Sequence, residues 1–120
     1  MFVMGCLLCG QLNAHQWTPT YPKLENSFVD GVLTTKMKLF NKREDVKYYS
    51  VGVYDADFYP VAFATPERVI VVPYLGTKYV DVYIRDKDKG RAVYICSNSK
   101  HLKSGSTAQL VTSRICSKIK

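Results

Sequence analysis

The stretch VLTTKMKLF at residues 32–40 decides the fold, because its side chains alternate between apolar and polar along the chain. Leu33, Met37 and Leu39 fall on one face of an extended chain, and the two lysines fall on the other. A period of two residues is typical of a β-strand with one buried face. The stretch therefore predicts a strand that packs on a core with its leucine face.

The same alternation recurs on both sides of this strand, in short runs separated by turn residues. The predicted strands occupy residues 27–29, 32–40, 46–55, 68–72, 79–85, 91–97 and 108–119. No run has the longer period of a helix, and 120 residues are enough for one core. The pattern predicts an all-β protein, namely a single-domain immunoglobulin-like β-sandwich of about seven antiparallel strands.

The first 14 residues, MFVMGCLLCGQLNA, carry no charged side chain and contain an apolar block at residues 2–8. We interpret residues 1–14 as a signal peptide that is removed before His15, which predicts an exported, periplasmic protein. The alternative interpretation is an apolar first strand or packing arm. The block is too short for a transmembrane helix, which needs about 20 apolar residues.

The segment that follows the leader contains two closely spaced prolines, Pro19 and Pro22. Proline has no backbone N–H to donate to a sheet ladder. We therefore expect residues 15–26 to form an extended entry arm, and we expect the sandwich to comprise residues 27–120.

Cys96 and Cys116 are the only cysteines that remain once the leader is removed, and an exported protein resides in an oxidising compartment. Their midpoint is residue 106, inside the turn-rich run SGST at residues 104–107. A hairpin that is symmetric about this point places the two cysteines directly opposite each other, where a disulfide fits. We therefore predict a Cys96–Cys116 disulfide, with two reduced core cysteines as the alternative.

The sequence lacks the residue patterns of catalytic and metal sites. His15 and His101 are too few and too far apart for metal ligation, and no GxSxG, HExxH, GxGxxG or P-loop motif occurs. Asp55 and Asp57 have the spacing found in calcium loops, but further oxygen ligands are missing nearby, which favours a strand end and a turn. We predict no enzymatic activity, no metal, no cofactor and no small-molecule substrate.

The net charge of +7 lies entirely downstream of the leader. Such a charge is compatible with nucleic acid, an anionic cell surface or an acidic protein as the partner. The basic residues near the C-terminus outline a candidate stripe of Lys100, Lys103, Arg114, Lys118 and Lys120. Because no aromatic residues interleave with them on the same strand, we interpret the stripe as a solvated face and rank nucleic acid below a protein partner.

Three stretches of the chain resemble the N-terminal domain of the periplasmic chaperones that assemble bacterial pili. They are LFN at residues 39–41, YDAD at residues 54–57 and the proline-containing strand pair FATPERVIVVP at residues 63–73. The likeness extends from Leu33 to about Ile119. It implies an immunoglobulin-like fold and a protein partner, such as a pilus or secretion-apparatus subunit.

The resemblance also implies roles for individual residues. In that family the final strand of the domain completes the fold of a pilus subunit by strand addition, which here implies Val111, Ile115 and Ile119 as partner-binding positions. A basic pair in the family grips the carboxylate at the subunit's C-terminus. Lys36 and Arg114 are the candidates for that anion grip in this chain.

Two other functions compete with the chaperone-like one. The first is a structural immunoglobulin-like module of a secretion, pilus or virus assembly, whose edge strands pair with neighbouring subunits. An edge covered by the entry arm favours a self-contained module, whereas an unprotected edge favours chaperone-like use or assembly. The second is a basic module that binds nucleic acid or an anionic surface, for which binding depends steeply on salt.

Overall fold

The computed structural model describes residues 15–100 and 113–120, which form eight β-strands and one short 3-10 turn at Asp86–Asp88. The strands are β1 (Gln16–Thr18), β2 (Glu25–Asn26), β3 (Val32–Phe40), β4 (Tyr48–Tyr54), β5 (Val69–Val71), β6 (Thr77–Arg85), β7 (Tyr94–Lys100) and β8 (Arg114–Lys118). The predicted all-β fold in a single domain is confirmed. Within these ranges the chain has no helix of the length and hydropathy needed to cross a membrane.

The strands form two antiparallel sheets that enclose the core. In the first sheet β3 is central, with β6 on one side and with β1 and β2 along the other. The second sheet has the order β5-β4-β7-β8, so that β5 and β8 are its edges. The side of the sandwich where β1 meets β8 is called the arm side below. The opposite side, where β5 faces β6, is called the open side.

Alternation along β3 and β6 directs their apolar residues into the core, as the sequence predicts. The two strands pair over their whole length, from Val32 opposite Arg85 to Phe40 opposite Thr77. The fully buried side chains of the two sheets meet in one cluster, made of Met37, Leu39, Val82 and Ile84 from the first sheet and Tyr49, Val53, Ile70 and Ile95 from the second. Burying a large apolar side chain contributes roughly 1.5–3 kcal/mol, so this cluster is the main source of stability.

Residues 15–26, where the prolines predict an arm outside the sandwich, contribute β1 and β2 to the first sheet. The buried Trp17 of β1 donates its indole N–H to the carbonyl of Ile95 in the second sheet, at 3.0 Å. Beyond β1 the chain crosses to the second sheet, where the carbonyl of Thr20 accepts the N–H of Lys118 at 3.0 Å. The arm thus bonds to both sheets and closes the gap between them on the arm side.

A buried asparagine joins the loops at one end of the sandwich. The side-chain amide nitrogen of Asn41 donates to the carbonyls of Val46 and Val72, both at 2.8 Å. Its Oδ1 accepts the backbone N–H of Arg43 at 2.9 Å and the hydroxyl of Tyr49 at 2.5 Å. Two donors and two acceptor positions are thus filled, which is the full capacity of an amide. The polar turn that follows β3 therefore begins with a buried structural residue.

Candidate functional site: the outer face and edge of the last strand

Cys96 and Cys116 form a disulfide between β7 and β8. The two residues are directly opposed in the register, with their Cα atoms 4.0 Å apart, as predicted for a hairpin that is symmetric about residue 106. The prediction of this bridge is confirmed. Because the bond joins neighbouring strands of one sheet, it attaches the edge strand β8 to the interior strand β7 and not one sheet to the other.

The disulfide lies on the outer face of the second sheet, beside an aromatic ring and a guanidinium group. Gly52 is the register neighbour of Cys96, and the ring of Tyr54 folds back over it. A Cβ atom at Gly52 would lie 2.5 Å from the hydroxyl oxygen of Tyr54, so any larger residue at this position would displace the ring. The Arg114 guanidinium lies 5.0 Å from the centroid of the Tyr54 ring, which is a cation–π distance. Cys96 is fully buried although it faces outward.

The turn after β4 adds a second aromatic contact to this outer face. Phe58 stacks on Tyr94 with ring centroids 4.5 Å apart and an interplanar angle of 7°. Asp55 holds the turn, because its Oδ1 accepts the N–H groups of Asp57 and Tyr59, both at 2.9 Å. The carboxylate of Asp55 therefore serves a strand end and turn, as predicted. The described ranges contain no group of three side chains that could ligate a metal ion.

Lys36 and Arg114 lie on opposite faces of the sandwich, which corrects their pairing as an anion grip. Lys36 projects from the outer face of the first sheet, where its Nζ is 3.0 Å from Oδ1 of Asp81. Arg114 projects from the outer face of the second sheet, where its Nε donates to Oδ1 of Asn98 at 2.9 Å. Because the core separates the two sheets, these cations cannot meet at one carboxylate.

The positions expected to bind a partner lie on the inward face of the last strand. Ile115 and Ile119 are partly buried and pack against the hydrophobic core. Val111 lies outside the described residues. The two isoleucines therefore contribute to the stability of this chain, and the backbone edge of β8 is the part that faces outward.

The arm covers half of that backbone edge. Residues at alternate positions of a strand direct their N–H and C=O groups to the same side. In β8 the odd-numbered residues bond toward β7, so the even-numbered residues point to the arm side. Lys118 donates its N–H to the carbonyl of Thr20 at 3.0 Å, and Lys120 donates to the carbonyl of Pro22 at 2.8 Å. This half of the edge is closed.

The other half of the edge, at Arg114 and Cys116, has no backbone partner within residues 15–100 and 113–120. The carbonyl of Pro19 accepts the hydroxyl of Ser117 at 2.7 Å. On the N-terminal side of Pro19 the arm belongs to the first sheet as β1, and it makes no backbone hydrogen bond to Arg114 or Cys116. The sequence leaves a covered edge and an open edge as alternatives. The structure has both on one strand, because a single arm pairs first with β3 and then with β8.

This arrangement of strands has a counterpart among solved structures. The chain is similar in fold to the E. coli chaperone DraB. The crystal structure of DraB aligns with a TM-score of 0.64 at 10% sequence identity, over 89% of this chain and 53% of the DraB chain. The chain thus spans about half the length of DraB, and at this identity the likeness concerns the fold alone. No family model and no curated protein sequence matches the chain.

His15, the first residue of the arm, is buried against Ser97 of β7 and Tyr49 of β4. His15 Nε2 is 2.6 Å from Oγ of Ser97, and its ring centroid is 4.7 Å from that of Tyr49. A serine and a histidine at this distance have the geometry of a nucleophile and its base. However, His15 is 2% exposed and Ser97 is 0% exposed, which leaves no access for a substrate. His15 Nδ1 has no hydrogen-bond partner in the described part of the chain, so we interpret the pair as a core contact.

The buried histidine makes the stability depend on pH. Burial lowers the pKa of His15 from its ordinary 6.5 to about 4, and the guanidinium of Arg43 adds to this shift. The neutral form is therefore favoured in the fold. As the pH falls from 6.5 to about 4, the unfolded chain takes up a proton that the folded chain does not. Because of this difference in proton uptake, we expect the free energy of unfolding to fall by up to about 3 kcal/mol between pH 6.5 and about pH 4. Each unit of pKa difference corresponds to about 1.4 kcal/mol.

Urea unfolding of the full chain at about pH 7 and about pH 4 measures this loss. The variant His15→Gln is the matched control, because it keeps a hydrogen-bonding group that does not titrate. The wild type should lose more stability than the variant over this interval. Both proteins share the same carboxylates, so an identical pH dependence would contradict the role assigned to His15.

Proposed function

We propose that this chain is a non-catalytic protein-binding module that engages a partner protein by strand addition along the open half of β8. One observation carries the proposal: the N–H and C=O groups of Arg114 and Cys116 point away from β7 and have no backbone partner among the described residues. A row of such groups is a template for another extended chain. A protein segment supplies donors and acceptors at the matching spacing.

The side chain between these two residues supports the same site. Ile115 faces inward and is only partly buried, because β8 is an edge strand. An added strand would extend the second sheet and cover the remaining apolar surface of Ile115. Main-chain hydrogen bonds would then provide affinity, and the surface around Ile115 would provide selectivity.

The class of partner and the location of the protein are part of the proposal. The resemblance to pilus-assembly chaperones and the similarity in fold to the chaperone DraB support a pilus or secretion-apparatus subunit as the partner. The Cys96–Cys116 disulfide is compatible with an oxidising compartment, where such bonds persist. Together with the signal peptide predicted at residues 1–14, it supports export to the periplasm.

Two substitutions at Arg114 separate the backbone edge from the side chain. Arg114→Pro removes the outward N–H, and proline is tolerated at the first residue of a strand. Arg114→Ala keeps the N–H and removes the guanidinium that contacts Tyr54 and Asn98. We expect Arg114→Pro to weaken binding of a partner roughly tenfold or more, and Arg114→Ala to weaken it by about threefold at most.

Affinity capture from a bacterial envelope extract on the immobilised full chain provides the measurement. Captured proteins are identified by mass spectrometry, and the most abundant one is purified to determine its Kd for each variant. Thermal unfolding verifies that both variants are folded. Equal losses from both substitutions would indicate that the guanidinium binds an anion instead, and unchanged binding would rule out this edge.

Two other functions each have an observation in their favour. The arm closes half of the β8 edge, which is the protection that a self-contained structural module needs. On the outer face of the second sheet Arg114 lies 5.0 Å from the centroid of the Tyr54 ring and Lys118 is opposite Tyr94, an interleaving that is not visible along one strand. Capture that vanishes steeply as salt is raised would identify a polyanion-binding module.

A further inference from the structure

The open side of the sandwich has a second unpaired edge, on β6. Within the described ranges only β3 pairs with β6 along its length. Ala64 forms an isolated bridge beside it and exchanges both backbone hydrogen bonds with Tyr83, at 2.9 and 2.8 Å. Thr65 adds one more bond, from its hydroxyl to the carbonyl of Asp81 at 2.9 Å. The next residue, Pro66, has no N–H to donate, and the chain leaves for β5 in the other sheet.

Among the described residues a gap therefore lies beside the first half of β6, where no strand pairs with its open edge. Because Tyr83 directs its backbone groups to this side, Tyr79 and Asp81 do so as well. The N–H and C=O of Tyr79 and the N–H of Asp81 have no backbone partner in the part of the chain that the structure describes. A groove of about 400 Å³ occupies this gap, with Ile70 and Val80 in its lining.

Exposed apolar side chains lie near this groove on the outer faces of both sheets, and of these Tyr79 lines the groove itself. They lie on β5, in the turn after it and on β6, and they are Val69, Val71, Tyr74, Leu75 and Tyr79. Inside the groove, Ile70 and Val80 are buried beneath its surface.

The charges around the groove favour an acidic occupant. Its two carboxylates are already paired with lysines, Glu67 with Lys78 at 3.6 Å and Asp81 with Lys36 at 3.0 Å. Two cations lie outside the lining of the groove: Lys38, which is opposite Tyr79 in the register, and Arg68, whose guanidinium lies 4.7 Å from the centroid of the Phe63 ring. Neither has an ion pair with a carboxylate among the described residues. An incoming acidic side chain would therefore meet cations that are not yet neutralised.

We propose that this groove binds an extended acidic segment of a partner protein, which adds as a strand to the free edge of β6. Every second side chain of the segment is apolar and packs over Ile70 and Val80, and the intervening acidic side chains face Lys38 and Arg68. The site is on the opposite side of the sandwich from the open half of β8, and it does not depend on strand addition there. The protein holds two protein segments, one at each side.

Amide hydrogen exchange of the full chain, followed by NMR, tests this proposal with the hexapeptide acetyl-(Glu-Val)3-amide as the probe. We expect the amides of Tyr79 and Asp81 to exchange at least about tenfold more slowly at saturating peptide. The matched peptide acetyl-(Lys-Val)3-amide should protect them less, and the difference between the two peptides should shrink as salt is added.

Substitutions at Tyr79 test whether the backbone edge is responsible. Tyr79→Pro removes the outward N–H, which the ladder with β3 does not use, and edge strands tolerate proline at such a position. Tyr79→Thr keeps this N–H and is the matched control. Peptide-induced protection of the Asp81 amide should be lost in Tyr79→Pro and retained both in Tyr79→Thr and in Arg114→Pro.

Four results would overturn the proposal. Protection of Arg114 and Cys116 in place of β6, or no protection anywhere, would exclude the groove as the binding site. Slow exchange of the Tyr79 amide without peptide, at every protein concentration, would mean that another segment of this chain fills the groove. Protection that increases with protein concentration would mean that a second copy fills it. Capture through β8 is decided separately, by the Kd values of the captured partner for Arg114→Pro and Arg114→Ala.

Discussion

Replacing Asn41 with alanine is expected to lower the free energy of unfolding by about 4 kcal/mol or more. The asparagine side chain makes hydrogen bonds to Val46, Val72, Arg43 and Tyr49 in a fully buried position. Alanine leaves two carbonyls and one hydroxyl without partners, and each unsatisfied buried group costs about 1–3 kcal/mol. Small domains have only about 5–15 kcal/mol of stability in total, so the variant should be close to unfolding.

Chemical unfolding followed by the fluorescence of the buried Trp17 measures this effect. Asn98→Ala is the matched control, because Asn98 lies on the outer face of the second sheet and its side chain bonds to Arg114. That change should cost less than about 1 kcal/mol. A cost for Asn41→Ala no larger than that of the control would mean that the loops at this end are held by other contacts.

Replacing both Cys96 and Cys116 with alanine is expected to cost roughly 3–4 kcal/mol. The bridge closes a loop with a sequence separation of 20, and cross-linking a loop of this size restricts the unfolded chain by about 3 kcal/mol. Without the bridge, β8 should be the first strand to detach. It pairs with β7 on one side, and on the other side the arm bonds to only half of its length. The fold has no second covalent link within the described residues to replace it.

Thermal unfolding and amide exchange together measure this second effect. The Tm should fall by roughly 10–20 °C, and the amides of β8 should lose protection before those of the interior strand β4. Wild-type protein in strong reductant is the control, and it should behave like the variant. A variant with an unchanged Tm would show that β8 is held by its hydrogen bonds and core contacts alone.

The features that the sequence predicts well are those that depend on neighbouring residues. The buried face of β3 follows from alternation alone, since Met37 and Leu39 are separated by a single residue. The opposition of Cys96 and Cys116 follows from a β7–β8 register that is symmetric about residue 106, as the turn residues of the sequence predict. Both are local properties, and both are found in the structure.

The strand content of residues 15–26 could not be predicted from the prolines. Proline lacks a donor but keeps its carbonyl, and the carbonyl of Pro22 accepts the N–H of Lys120. β1 ends at Thr18, before Pro19, so its ladder is intact. The missing N–H groups of Pro19 and Pro22 therefore do not indicate how many backbone hydrogen bonds residues 15–26 make with both sheets.

The sites that were placed incorrectly or missed depend on distant pairing. Alternation shows that Lys36 and Arg114 both point outward, but it does not show that β3 and β8 belong to different sheets. The free edge of β6 arises because the chain leaves its side at Pro66, more than ten residues before β6 begins. The burial of Asn41 likewise depends on Val72, which is remote in sequence.

The pairing of the arm with β8 has a consequence for the order in which the chain folds. The bond between Ser117 and Pro19 joins residues that are 98 apart in sequence, so it cannot form until Ser117 has been synthesised. Contacts of such separation form late, because the entropy of closing a long loop must be overcome first. Until the arm docks, the edge of β8 is open along its entire length. A partner segment that is present during folding therefore competes with the chain's own N-terminal arm for the same hydrogen bonds.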